Sequence, residues 1–237
     1  MPDEPTEFEL NGVRLRVPEA LLDPRIAQKL ETGGYEAHEA RAVQMRLRPG
    51  QRVLELGGGL GYVSALAARI TGGANVVTVE ANPALLPVIR DTWALNAVTG
   101  GTLIHGAVTG AAADKASDAP GHETLGFDPA RAFWGGRIAG ADTPGARAVR
   151  VPARPLPPLL DTHRPDVVIM DIEGAEARLF DAPWPGHVQA VMMELHPGRY
   201  PDSAIKRIVD CLSASGLTYD PGPSRGRILC LRRLRGG

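Results

Sequence analysis

The sequence predicts an open α/β fold, a mostly parallel sheet with helices on both faces. Three observations carry that prediction. Short apolar runs alternate with stretches of helical period along the chain, the pattern of a doubly wound sheet. One run, VLELGGGLGY at 53–62, passes from a strand through Gly57, Gly59 and Gly61 into a helix-like stretch. Four runs carry an acid at or near their ends: Glu55, Glu80, Asp171 and Glu194. Ligands of such sheets bind outside the carboxyl ends of the strands, so these acids mark the candidate site.

The elements follow in order. Phe8 and Leu10, then Asn11-Gly12, then Val13, Leu15 and Val17 alternate with polar residues and predict a hairpin. Helical stretches are predicted over Pro24 to Thr32 and Tyr35 to Arg46, the second ended by Pro49-Gly50. The strand at 53–56 leads through the glycines to a helix whose Val63, Leu66, Ala67 and Ile70 share one face. Val76 to Glu80 is the next strand. Asn82-Pro83 reads as a helix start, with Pro87 forcing a late start or a bend. A third strand is predicted over about Gly101 to His105. Residues 109–148, rich in glycine, alanine and proline, are expected to form a long loop holding Trp134. Val149 to Val151 reads as a short strand stopped by Pro152. Val167 to Asp171 and Ala190 to Glu194 are predicted central strands. Pro201-Asp202 opens a helix that runs to about Ser213, with Ile205, Ile208, Val209 and Leu212 on one face. Leu217 to Tyr219 and Ile228 to Leu234 form a closing antiparallel pair.

Composition narrows the function classes. A chain of 237 residues with net charge -1 fits one large domain and carries no nucleic-acid footprint. No apolar run reaches the length of a membrane span. The acidic start MPDEPTEFEL lacks the pattern of a signal peptide. Cys211 and Cys230 form no disulfide or metal spacing, which fits a reducing, cytoplasmic setting. Oligomeric state is left open, with a homodimer among the options.

The glycine motif discriminates between nucleotide-like ligands. A dinucleotide site turns backbone amides and a helix start toward a negative pyrophosphate. Here Glu55 stands two residues before Gly57, where a carboxylate repels phosphate and suits a cation. S-adenosylmethionine carries an ammonium and a sulfonium and no phosphate. Glu80, closing the next strand, can accept hydrogen bonds from ribose hydroxyls.

The combination resembles the class I methyltransferases. VVIMDIEGAEARLF (167–180) is similar to the D-[IV]-E-G-A-E signature of the FkbM family of methyltransferases. Glu80-Ala81-Asn82-Pro83 matches that family's E-P-N-P segment with alanine for the first proline. LIHGAVTG, MMELHPG and Gly33-Gly34-Tyr35-Glu36 resemble other family segments, so the likeness spans about residues 33–215. The chain departs from the family pattern at Glu55, where aspartate is common, and at Ile169, where lysine is frequent. The resemblance implies a Rossmann-like fold of seven strands, mostly parallel, with an antiparallel last strand. The chain reads as a single domain overall, with residues 51–237 as the methyltransferase domain and residues 1–50 as a hairpin and helices expected to pack on it.

Residue roles follow. Tyr35, Glu36, Glu55, Gly57, Gly59, Gly61, Tyr62, Glu80, Ala81, Asn82, Gly106, Ala107 and Asp171 are the expected cofactor contacts, Tyr35 and Glu36 by resemblance. Methyl transfer to a hydroxyl also calls for a base. His196 in ELHP is the first candidate, because histidine can be neutral near pH 7. Asp171 is the alternative base, or orients the methionine portion or the acceptor. The resemblance favours a site role for Glu173. Glu176 either joins it or stabilises a helix beginning there. Glu194, Glu173 and Trp134 are candidate acceptor contacts. Asp171, Glu173, Glu194 and His196 offer hard metal ligands, yet their spacing requires no metal and none is assigned. The resemblance favours O-methylation of a sugar, glycolipid or natural product. The alternatives are N-methylation of a small molecule or protein, and a cofactor-binding module without transfer activity.

Overall fold

The computed structural model describes residues 5–110, 124–129, 136–138 and 149–234. Strands β1 (Thr6–Leu10) and β2 (Val13–Val17) form the hairpin, with Asn11 and Gly12 both at positive φ in the turn. Helix α1 (Pro24–Glu31) is capped by Asp23, whose side chain accepts from the Arg25 and Ile26 N–H groups at 2.8 and 3.0 Å. Then come α2 (Ala37–Arg46), β3 (Val53–Leu56), α3 (Tyr62–Thr71) and β4 (Val76–Glu80). Helix α4 (Leu86–Leu95) starts late, with Pro87 in its first turn where no backbone N–H is needed. Strands β5 (Thr102–His105), β6 (Ala107–Thr109), β7 (Thr124–Asp128), β8 (Arg137–Ile138) and β9 (Val149–Pro155) follow, then α5 (Leu156–His163). The chain continues through β10 (Val167–Met170), β11 (Ala190–Glu194), α6 (Asp202–Ala214), β12 (Leu217–Tyr219) and β13 (Ile228–Arg233).

The main sheet has seven strands in the order β12-β13-β11-β10-β3-β4-β5. β11, β10, β3, β4 and β5 run parallel, and β13 is antiparallel to both its neighbours. Alternation along each strand sorts the core into two layers. Val53, Val167, Ile169 and Met192 pack with the hairpin and helices α1 to α4. Leu54, Leu56, Val168, Met170 and Met193 pack with α5 and α6. The chain moves outward from β3 to β5 on one side and returns to β10 on the other. This places the topological switch between β3 and β10.

Two expectations about the middle of the chain need correction. The span 109–148 holds β7 and β8, which pair with each other; β7 also pairs with β9, and β9 with β6, in a four-stranded sheet of order β6-β9-β7-β8. Nor does Pro152 stop β9. The first half of β9 pairs with β7 through Pro152, and Ala153–Pro155 pairs with β6. The proline sits where the strand changes neighbours, so its missing N–H is tolerated. Helix α5 falls in a stretch for which no element is predicted from sequence. Pro157 and Pro158 lie in its first turn, and Leu156, Leu159 and Leu160 are its buried face.

Candidate active site

The carboxyl ends of β3, β4, β10 and β11 open into a cavity of about 810 Å³. Its floor is the glycine loop. Gly57 has φ of 90°, and a side chain there would collide with the Asp171 carbonyl oxygen, so the loop lies directly against the end of β10. The N–H groups of Gly58 and Gly59 donate to Glu80 Oε2 at 2.8 and 3.1 Å, and Asn82 N–H donates to Oε1 at 2.6 Å. Amides that would cradle a phosphate are thus engaged by a carboxylate. Burial raises the Glu80 pKa in spite of these donors.

Tyr35 and Glu36 close over the loop. Glu36 Oε1 and the Tyr35 hydroxyl both lie 3.0 Å from where a Gly59 Cβ would stand. Glu36 precedes α2 in a left-handed conformation, φ 44°. Burial and then the neighbouring Glu39 push its carboxyl well above the usual range. Across the cavity, Asp171 is raised well above its ordinary value by burial, then by Glu194 and Glu173. Glu173 also adopts a left-handed conformation, φ 54°. Strained backbone of this kind concentrates at functional sites.

His196 is 5% exposed, and its backbone N–H donates to the Tyr200 hydroxyl at 2.7 Å. Its Nε2 lies 3.5 Å from Asp171 Oδ1 and 3.6 Å from Glu173 Oε2. Burial alone would lower its pKa; contact with Glu176 and the charges of Asp171 and Glu173 overturn that and raise it to about 8. Arg199 pairs with Glu173 at 3.0 Å and Arg227 with Glu194 at 2.6 Å. Ligand atoms of Asp171, Glu173 and His196 lie within 4.8 Å of one another, as do those of Glu39, Asp171 and Glu194. The opposite end of the cavity is apolar, walled by Ala81, Leu85, Gly106, Ala107, Val108 and Phe127.

Of the residues expected from sequence, Tyr35, Glu36, Gly57, Gly59, Glu80, Ala81, Gly106 and Ala107 line the cavity, as do Asp171, Glu173, Glu194 and His196. Glu55, Gly61, Tyr62 and Asn82 are not part of its lining. Glu55 is 2% exposed and points into the helix layer, where its Oε2 accepts from Thr78 Oγ1 at 2.7 Å. Burial pushes its pKa up to about 8. Tyr62 accepts from Asn11 Nδ2 at 2.5 Å and ties the hairpin to the core. Trp134 lies outside the described residues. Glu176 stands in a single 3₁₀ turn, Ala175–Arg178, rather than opening a helix. Sequence reasoning missed Lys29, His38, Glu39, Phe127 and Arg199; Arg227 stands in the arginine-rich tail RGRILCLRRLRGG, whose arginines read mainly as solvated, with contact to an anionic substrate as the alternative. Glu39 had a signal: it stands three residues after Glu36, in the first turn of the helix that Glu36 precedes. The other missed residues had none.

A profile of the methyltransferase FkbM domain matches residues 51–216. None of the curated proteins matches the chain. One similar solved structure is a precorrin-6y C5,15-methyltransferase from Geobacter metallireducens, at 15% identity over 84% of this chain and 88% of that one, TM-score 0.43. Another is a ribosomal protein methylase from Lactobacillus delbrueckii, at 12% identity over 85% and 80%, TM-score 0.43. The fold is that of the Rossmann-like class I methyltransferases. The chain belongs to the FkbM methyltransferase family, and its methyl donor is S-adenosylmethionine. The cavity fits that donor chemically, since an apolar wall suits adenine and a wall of carboxylates suits a sulfonium and an ammonium.

Proposed function

We propose that the protein transfers methyl to a hydroxyl of a sugar, glycolipid or natural product, with His196 as the base. One observation carries this reading: a buried imidazole whose Nε2 faces the cavity beside Asp171 and Glu173. S-adenosylmethionine, when bound, supplies an electrophilic methyl. Glu80 would hold the ribose hydroxyls, since its three backbone donors leave acceptor capacity on the carboxylate. Glu36 and Asp171, with Tyr35, would face the charged methionine end. Gly57 and Gly59 would let the donor approach the backbone, and Ala81, Gly106 and Ala107 would lie beside the adenine. Phe127 adds an aromatic face there. Glu173 and Glu194 would orient the acceptor through its other hydroxyls. With its pKa raised to about 8, His196 is mainly neutral only above that pH rather than near pH 7; in that form it would take the hydroxyl proton at Nε2, and loss of that proton makes the oxygen a better nucleophile.

The acid-rich wall also supports a second reading, N-methylation, because carboxylates attract a protonated amine. Calorimetry with S-adenosylmethionine, its demethylated product and NADH tests the donor site: tight binding of the first two and none of NADH is expected. The variant His196→Ala should keep donor affinity and lose turnover on a hydroxyl acceptor. Unchanged turnover removes His196 from the mechanism. Turnover restricted to amines replaces the first reading with the second.

A further inference from the structure

We propose that Glu176 is a positioning residue that fixes the tautomer of His196, holding the proton on Nδ1 and leaving Nε2 bare toward the cavity. The inference rests on the reading of His196 as a base and extends it to a residue that touches no substrate.

Glu176 is 0% exposed and does not line the cavity. Burying a carboxyl is costly unless polar partners hold it. Its Oε1 accepts from the Ile172 N–H at 3.0 Å, which locks the side chain across its own turn. The same oxygen lies 3.3 Å from His196 Nδ1. The imidazole is anchored as well, through the hydrogen bond from its backbone N–H to Tyr200.

A neutral imidazole has one N–H and one bare nitrogen. With the proton on Nδ1, that group meets a carboxyl oxygen. With the proton on Nε2, the Nδ1 lone pair faces that oxygen, and two acceptors oppose each other in a buried site. The competing attraction of Nε2–H for the cavity acids is weaker. Glu173 is engaged by Arg199, and Asp171 is raised well above its ordinary value by burial. The ionisable groups around the ring are Asp171 and Glu173 after β10, Glu176 in the 3₁₀ turn, Glu194 at the end of β11, and Arg199 and Tyr200 beyond it. Of these, Glu176 alone is fully buried and set against Nδ1. Carboxyl–imidazole pairs of this kind hold a base in the orientation its proton transfer requires.

The test is nitrogen NMR of His196 in the full chain without acceptor, for wild type and Glu176→Gln. In wild type the neutral form, reached above a midpoint of about 8, should carry its proton on Nδ1. In Glu176→Gln the midpoint should fall by about one to two pH units, as loss of the carboxyl 3.3 Å from Nδ1 implies. The Nδ1 tautomer should then lose its dominance. Turnover should drop about a hundredfold while calorimetric donor affinity is unchanged. Proton on Nε2 in wild type overturns the proposal, with no variant needed. So does a Glu176→Gln titration that matches wild type. If the tautomer is as stated and His196→Ala still turns over, the positioning stands and the base assignment fails, so the two can be told apart.

Discussion

Replacing Glu55 with glutamine separates two roles for the acid of the glycine motif. The sequence suggests a charge that faces a cationic ligand. In the structure the side chain is sealed under the sheet, bonded to Thr78, with its pKa pushed from the ordinary 4.5 to about 8. The folded protein therefore holds a proton on Glu55 that the unfolded chain releases between those values. Stability from this group is complete below the unfolded value and falls as pH rises toward 8. At about 1.4 kcal/mol per pH unit, the ceiling is about 5 kcal/mol. Relaxation of the denatured and native states makes about 1–3 kcal/mol the working expectation. Glutamine keeps the shape and an acceptor for Thr78 and never ionises. Urea unfolding of wild type and Glu55→Gln should then coincide below about pH 4. By about pH 8.5 the variant should be the more stable by about 1–3 kcal/mol. Donor affinity should be within about twofold of wild type, because the side chain does not line the cavity. A variant less stable than wild type at high pH, or one that loses donor binding by tenfold or more, refutes the reasoning.

Three further outcomes are expected. Gly57→Ala should abolish donor binding in calorimetry and destabilise the fold by about 2 kcal/mol or more, because its Cβ meets the Asp171 carbonyl at positive φ. Glu173→Gly should be more stable than Glu173→Ala by about 1 kcal/mol in thermal unfolding, since only glycine relieves the left-handed backbone; both should impair turnover. Asp220 accepts from Arg46 at 2.5 and 2.7 Å, which depresses its pKa and ties α2 to the closing strands. Its contribution is present above the unfolded carboxylate range and lost as pH falls through the depressed value. Asp220→Asn should therefore cost about 1–3 kcal/mol at neutral pH and less in acid, read by urea unfolding.

Much of the fold was legible because its signals are local. The Asn-Gly hairpin, the strand that turns through Gly57 into α3, and the acid-terminated strands each follow from neighbouring residues. The errors arose where a local signal was ambiguous. Proline stops a strand only if its missing N–H was needed, and Pro152 lies where β9 changes partners. The α5 stretch drew no prediction; its Pro157-Pro158 would break a helix interior but fits a first turn. Glu55 was legible in part: strand parity puts it on the same face as Val53, toward the helices rather than past the strand end.

The sequence by itself determined the layered architecture, the glycine turn, the family and most of the acids at the strand ends, because periodicity, turn chemistry and motif spacing are properties of short segments. Tertiary structure alone decided which side chains share the cavity. It brought Phe127, Arg199 and Arg227 to its walls, withdrew Glu55, Tyr62 and Asn82 from its lining, and set Glu176 behind His196. The physical reason is that a side chain's neighbours, burial and pKa depend on packing between segments far apart in the chain, which no local pattern records.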